Sequence, residues 1–141
     1  MRTLLLPVTL LFLLLHASCG GRGDEAAHET PSASIITELD MKSFGSFLAS
    51  GTTTIVQFGG KRCLPCMEMR SILTEIGMEH PDVRIGIVFW EDSPELFAEW
   101  NITVIPARIM FDEAGNEHSR HRGTSSKDEI LAELQHLRLQ K

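Results

Sequence analysis

The chain has 141 residues, of which 43% are hydrophobic and 23% are charged, and its formal net charge is −6. This length fits one domain with a short additional segment, and the composition is ordinary for a globular protein. An acidic chain without a cluster of lysines and arginines is a poor partner for nucleic acids, so the composition argues against nucleic-acid binding.

The first 19 residues have the layout of a secretory signal. Arg2 precedes an apolar run at residues 4–15, and small residues and Cys19 follow. The run is too short to span a bilayer comfortably as a helix. The letters ASCG around Cys19 resemble a bacterial lipobox, in which the cysteine is lipidated, although His16 stands where an apolar residue is usual. We therefore predict a lipoprotein signal at residues 1–19, with an ordinary cleaved signal peptide as the alternative.

Residues 20–33 are rich in glycine, alanine and charged residues and show no period, which is typical of a flexible tether. The folded domain is expected at residues 34–141. Lipidation of Cys19 would also explain the odd number of cysteines, because three cysteines cannot all pair within one chain.

After the tether, hydrophobic periodicity predicts elements in the order β-α-β-α-β-α-β-β-α. The strands are predicted at residues 34–37, 52–58, 83–90, 106–112 and 117–123. The helices are predicted from an N-cap at Asp40 to Gly51, from the cysteine motif to Gly77, at residues 93–101, and after a capping box of Ser126 and Glu129. The early alternation implies parallel strands joined by crossover helices, and the two consecutive strands imply an antiparallel edge.

The segment GGKRCLPC, residues 59–66, joins a predicted buried strand to a predicted helix. Its two cysteines could form a redox pair, bind a metal ion such as copper, or make a small structural disulfide. Dithiol–disulfide exchange requires a thiolate and a second thiol within reach. Cys63 would lie at the helix N-terminus, where free amide groups and the helix dipole stabilise an anion, and Lys61 and Arg62 add positive charge. We therefore predict that Cys63 is the attacking thiol and that Cys66, one turn later, is the resolving thiol.

The chain resembles the thioredoxin family over residues 34–141, and three segments match in order. TIVQFGGKRCLPC resembles the family's second strand and its Cys-x-Pro-Cys motif, NITVIPARIMFDEAGNE resembles the segment that holds the cis-proline, and HRGTSSKDEIL resembles the end of the last strand. The resemblance implies a thioredoxin-like α/β fold, with a mixed sheet and helices on both faces. It also implies that Cys63 and Cys66 alternate between a dithiol and a disulfide, in exchange with protein thiols and disulfides.

The resemblance assigns further roles around the cysteine pair. Leu64 and Pro65 shape the loop between the two cysteines, and Pro65 suits the first turn of a helix because its missing N–H would have no partner there. Pro106 matches the cis-proline. The main chain of Ile105 would then pair with an extended substrate chain, in the manner of strand addition.

The chain also departs from the family pattern near the motif. Arg62 replaces a tryptophan, Gly59 and Gly60 replace an aromatic–alanine pair, Ser71 replaces a proline, and Gln57 replaces a buried aspartate that is thought to move the proton of the second cysteine. Gln57 cannot titrate. Cys66 would therefore lose its proton to water or to a substrate thiolate.

Together these features predict a thiol–disulfide oxidoreductase of the bacterial cell envelope, anchored by lipid at Cys19 on the periplasmic side of a membrane. The layout lacks an inserted helical domain, which favours a reductase over a dedicated oxidase. The expected partners are protein thiols and disulfides, the membrane, and a membrane-bound electron donor. We expect a monomer without a cofactor or resident metal. The alternative is a copper carrier that uses the two thiolates, or a redox-silent binding module on the same fold.

Overall fold

The computed structural model describes residues 35–140, so the predictions for the signal segment, Cys19 and the tether lie outside the described residues. The described part contains five strands and four helices in the predicted order. They are β1 (Ile36–Glu38), α1 (Phe44–Leu48), β2 (Thr54–Gly59), α2 (Leu64–Glu79), β3 (Arg84–Phe89), α3 (Pro94–Glu99), β4 (Ala107–Phe111), β5 (Glu117–Arg122) and α4 (Lys127–Leu139). None of these helices has the length and apolar character needed to cross a membrane.

The five strands form one mixed sheet in the order β1-β3-β2-β4-β5. The strands β1, β3 and β2 are mutually parallel, whereas β4 runs antiparallel to β2 and β5 runs antiparallel to β4. This arrangement confirms the predicted mixed sheet with an antiparallel edge. The polar strand β5 lies at that edge, and every residue of the central strand β2 is buried.

Alternation along the strands supplies two separate cores. One core contains Val56, Phe58 and Ile109, together with the apolar faces of α1 and α3. The other contains Ile55 and Met110, together with the apolar faces of α2 and α4. Helices therefore cover both faces of the sheet, and the central strands are apolar on both sides for this reason.

The predicted helix end at Gly77 is wrong. Helix α2 continues to Glu79, with His80 as its C-cap. Gly77 is buried, and a Cβ atom there would overlap Cγ2 of Ile35 and lie 3.0 Å from Cδ1 of Ile85. The glycine marks a close approach between α2 and the sheet, so it serves packing instead of helix termination.

The predicted N-cap at Asp40 lies before the helix proper. Its carboxylate accepts hydrogen bonds from the amides of Lys42 and Ser43 at 3.1 and 2.8 Å, and these residues form a turn. Helix α1 begins only at Phe44, whose amide donates to the carbonyl of Asp40. Asp40 thus caps the turn that leads into α1, and the helix is shorter than its apolar pattern suggested.

Gly86 and Gly45 provide a matched test of packing on the α1 side of the sheet. A Cβ atom at Gly86 would overlap Leu39 and lie 3.1 Å from the ring of Phe47, whereas nothing lies within 4 Å of a Cβ atom at Gly45. We expect Gly86→Ala to lower the free energy of unfolding by about 1–3 kcal/mol through overpacking.

Gly45→Ala should leave the free energy of unfolding unchanged or raise it by up to about 1 kcal/mol, because alanine favours helix. Urea denaturation of both variants measures the difference. Equal stability of the two variants would contradict the packing described for β3.

Candidate active site

The cysteine motif lies where the buried strand β2 ends and helix α2 begins. Residues 60–63 make the connection, and the β3–α3 loop holds it in place. The amide of Lys61 donates to both carboxylate oxygens of Glu91 at 3.0 and 3.1 Å, and its ammonium group binds Asp92 at 2.7 Å. The connection is therefore fixed by side chains about 30 residues away in sequence.

Cys63 and Cys66 are joined by a disulfide, with their Cα atoms 5.2 Å apart. Cys63 is the N-cap residue of α2, and its Sγ accepts a hydrogen bond from the amide of Cys66 at 3.3 Å. Pro65 lies in the first turn of the helix, as expected from its missing N–H. The structure therefore places the sulfur of Cys63 among the free amide groups of a helix N-terminus, where a thiolate is stabilised.

The two cysteines differ in exposure. Cys66 is completely buried, whereas Cys63 is partly exposed and its neighbour Leu64 is 66% exposed. A substrate sulfur can therefore reach Cys63 but not Cys66. An attacking thiol must be accessible and a resolving thiol need not be, so this asymmetry is the one that the predicted roles require.

The two cations next to Cys63 have different surroundings. Lys61 is paired with Asp92, and the hydrogen bond from its ammonium group to that carboxylate raises the pKa of Lys61. Arg62 is exposed and has no hydrogen-bonding or ionic partner among residues 35–140. The predicted positive charge at the motif thus comes from Arg62 and the helix N-terminus, while Asp92 offsets that of Lys61.

The Ile105–Pro106 segment lies beside the cysteine loop, and its peptide bond is cis. A Cβ atom at Gly60 would lie 3.5 Å from Cβ of Cys63, Oε1 of Glu91 and Cδ1 of Ile105, so the two loops meet at this glycine. Ile105 is 38% exposed, and its main chain makes no hydrogen bond within residues 35–140. Its free N–H and C=O groups are available to an extended chain.

Several exposed apolar side chains lie on the segments that meet at the disulfide. They are Leu64 and Met67 on the first turn of α2, Val104 and Ile105 before Pro106, and Trp90 after β3. Trp90 is 53% exposed, and its ring lies edge-on against Phe97 at 5.3 Å between centroids. Trp90 follows directly after the parallel strand β3, and this place in the chain indicates the sheet edge at which the motif lies.

Gln57 lies beneath the resolving cysteine. It is completely buried, and its side-chain N–H donates to the carbonyl of Cys66 at 2.8 Å. A Cβ atom at Gly59 would lie 3.3 Å from both Sγ of Cys66 and Nε2 of Gln57, so the glycine leaves room for these two groups. The neutral amide therefore ties β2 to α2 at the position where the resemblance places a carboxylate.

Ser71 and the copper-carrier alternative concern features away from the disulfide exchange itself. Ser71, which replaces a helix proline, is exposed, and its hydroxyl donates to the carbonyl of Met67 at 3.3 Å.

Among residues 35–140 no group of three or more histidine, cysteine, aspartate and glutamate side chains is placed to hold a metal ion. A copper carrier would have to rely on the two thiolates and on ligands from elsewhere.

Comparison with known proteins identifies relatives for most of the chain. The thioredoxin family model matches residues 35–136. A thioredoxin of Chlamydia caviae is 28% identical over 69% of this chain and 93% of the relative. Thioredoxin domain-containing protein 8 of Homo sapiens is 34% identical over 51% of this chain and 58% of that protein.

Solved structures show the same fold. The crystal structure of thioredoxin from Trypanosoma brucei brucei gives a TM-score of 0.66 at 16% identity, covering 72% of this chain and 89% of that chain. Mitochondrial thioredoxin 3 from Saccharomyces cerevisiae, in its oxidized form, gives 0.63 at 22% identity, covering 71% and 93%.

The site predicts unequal reactivity of the two thiols after reduction. The rate at which Cys63 reacts with iodoacetamide should reach half its maximum at a pH below ~8.5, the pKa of an ordinary cysteine. Cys66 should react more slowly. Arg62→Gln should raise the pH of half-maximal alkylation of Cys63 by a few tenths of a unit. Lys61→Gln should raise it less, because Asp92 already offsets the charge of Lys61.

Peptide mapping by mass spectrometry at a series of pH values gives the rate for each cysteine. Faster alkylation of Cys66 would reverse the assignment of the two roles. An equal shift in the two variants would show that the Lys61–Asp92 pair is open in solution.

Proposed function

The chain belongs to the thioredoxin family, and we propose that it acts as a protein-disulfide reductase of the bacterial cell envelope. As a member with an intact cysteine pair it is a thiol–disulfide oxidoreductase. The observation that carries the proposal is the disulfide at the N-terminus of α2, which exposes Cys63 and buries Cys66. The main chain of Ile105 and the apolar side chains around the pair supply a surface for a protein substrate.

The reaction follows from the positions of the two sulfurs. In the reduced protein the Cys63 thiolate attacks a substrate disulfide, forms a mixed disulfide and releases one substrate sulfur as a thiolate. Cys66 then attacks Cys63, which closes the intramolecular disulfide and releases the second substrate sulfur. Two electrons pass from the dithiol to the substrate, so an electron donor must reduce the Cys63–Cys66 disulfide before the next cycle.

The charges near Cys63 support the reductive direction. A strong oxidant of this class requires a reduced form that is greatly stabilised as the thiolate. Here Lys61 is paired with Asp92, and Glu91 lies beside the same loop. Among the groups that the structure describes beside the motif, Arg62 and the helix N-terminus therefore remain to favour the thiolate. Moderate stabilisation of this kind suits a dithiol that donates electrons.

The proposed location rests on the N-terminal sequence. An apolar run that ends in ASCG supports export and lipid attachment at Cys19. The tether at residues 20–33 would let the domain, at residues 34–141, move roughly 20 Å from the membrane surface. A monomer held there on the periplasmic side could receive electrons from a membrane-bound donor.

Activity is tested with a small amount of the protein, excess dithiothreitol as the electron donor, and a model protein disulfide such as insulin. We expect catalytic reduction, loss of at least about a hundredfold in Cys63→Ser because no nucleophile remains, and trapped mixed disulfides in Cys66→Ser. Non-reducing gels and mass spectrometry identify the trapped species, which also names the natural substrates in cell extracts. Unchanged reduction by Cys63→Ser would refute the function.

Anchoring is tested by fractionating cells that express the protein or its Cys19→Ala variant. The parent protein should sediment with membranes and carry a lipid on Cys19. The variant should be released into the soluble fraction because it lacks the lipid anchor. Mass spectrometry of the mature N-terminus reads the modification directly. An unmodified Cys19 on a membrane-associated protein would rule out the lipid anchor.

A further inference from the structure

Arg108 is the largest completely buried side chain of residues 35–140. It lies on β4 in a run of apolar residues, PARIMF, and sequence reasoning did not single it out. Its neighbours Ala107 and Ile109 face the core formed with α1 and α3, so alternation places Arg108 on the other side, towards α2 and α4. A permanent cation therefore lies inside the domain, on the face that holds Cys66.

One carboxylate compensates this cation. The two terminal nitrogens of Arg108 donate to the two oxygens of Glu133 on α4 at 2.8 and 2.9 Å, and the hydroxyl of Ser119 donates to the same carboxylate at 3.0 Å. The hydrogen bonds from Arg108 hold the pKa of Glu133 below its usual range. The side chain of Arg108 is 0% exposed and that of Glu133 is 32% exposed, so the carboxylate is the more solvated half of the pair.

The pair lies next to the residue beneath the active site. In the β2–β4 register Arg108 is directly opposite Gln57, and Gln57 donates to the carbonyl of Cys66. Opposite residues in an antiparallel pair have Cβ atoms about 4.5–5.5 Å apart on the same face. A neutral amide therefore stands where the resemblance to the family placed a carboxylate, and a buried cation is its cross-strand neighbour.

Two buried polar atoms on these residues lack partners. Within residues 35–140 Oε1 of Gln57 accepts no hydrogen bond, and Nε of Arg108 donates none. Two further titratable groups lie on the neighbouring elements: His121 is opposite Arg108 in the β4–β5 register, and Glu129 lies one turn before Glu133 on α4. Among residues 35–140, Glu133 is the one anion that forms an ion pair with Arg108.

We propose that the Arg108–Glu133 pair is a positioning device for the resolving step, in which buried Arg108 favours the thiolate of Cys66 and Glu133 limits that effect. Resolution requires Cys66 as a thiolate, which attacks Cys63 and releases the substrate sulfur with its electron pair. The proton of Cys66 passes to water or to the released substrate thiolate, because Gln57 cannot accept it. Arg108 is linked to Cys66 through Gln57, its cross-strand neighbour. A buried cation in this position stabilises the thiolate and so raises its population near neutral pH.

The inference rests on the proposed exchange reaction but is tested first without it. In full-length protein carrying Cys19→Ala and Cys63→Ser, Cys66 is the only remaining thiol. Its ionisation is followed by the ultraviolet absorbance of the thiolate as pH is raised. Glu133→Gln keeps the shape of the side chain but leaves Arg108 uncompensated, so the thiolate fraction of Cys66 at pH 7 should rise on the order of three- to tenfold.

Three further variants separate charge from structure. Glu117 lies on β5, opposite Phe111 at the end of β4, and binds Arg120 at the surface. Glu117→Gln also removes one negative charge, and it should leave the titration of Cys66 unchanged. Glu133→Asp keeps the negative charge, so Cys66 in this variant should titrate as in the parent protein even if the domain is less stable. Arg108→Met with Glu133→Leu removes both charges and should lower the thiolate fraction, and an apolar pair of this kind is expected to fold.

The second measurement is the decay of the Cys63 mixed disulfide in protein with both cysteines. Glu133→Gln should speed resolution at pH 7 by about twofold, less than the gain in thiolate, because nucleophilicity falls with thiol pKa. Matching titrations in Glu133→Gln, Glu117→Gln and the double variant would overturn the proposal and leave the pair as a tie between β4 and α4. A shifted titration in a protein that reduces no disulfide would uphold the charge effect and refute the proposed function.

Discussion

The chemistry of this protein depends on the abrupt junction between β2 and α2. A strand that is buried along its whole length ends at Gly59, and a helix begins at Leu64. Only residues 60–63 lie between them, so the first turn of the helix must pack directly over the end of the sheet. The result is one sulfur at the exposed helix N-terminus and another sealed beneath it. Gly59 permits this packing because any larger residue would press on Cys66 and Gln57.

The same junction explains why long-range contacts matter for the reactive thiol. The Lys61 main chain and ammonium group are both held by carboxylates of the β3–α3 loop. Holding the loop in this way fixes the position of Cys63, but it also offsets the charge of the nearest lysine. The helix N-terminus and Arg62 are then the groups left to stabilise a thiolate at Cys63.

The order of elements, the mixed sheet and the reactive pair could be predicted because each leaves a local pattern. Apolar runs reveal the buried strands, and a Cys-x-Pro-Cys segment between strand and helix indicates redox chemistry. The end of α2 was misplaced because Gly77 resembles a helix terminator in sequence, whereas its role comes from Ile35 and Ile85 in other elements. Likewise the Lys61–Asp92 and Arg108–Glu133 pairs join residues 31 and 25 positions apart, and no local spacing predicts them.

Arg108 shows why such a buried charge calls for an explanation beyond stability. Replacement of a buried ion pair by apolar residues is often neutral or stabilising, so packing alone gives little reason for an arginine inside the sheet. Its neighbour Gln57 is equally unusual, since a buried amide with an unpartnered oxygen is also unfavourable. Arg108 and Gln57 are opposite each other in the β2–β4 register, and Gln57 donates to the carbonyl of Cys66. The neutral amide avoids burying a carboxylate near the disulfide. In the proposed mechanism the ionisation of Cys66 then depends on the charge of Arg108 and on its compensation by Glu133, because Gln57 cannot act as a base.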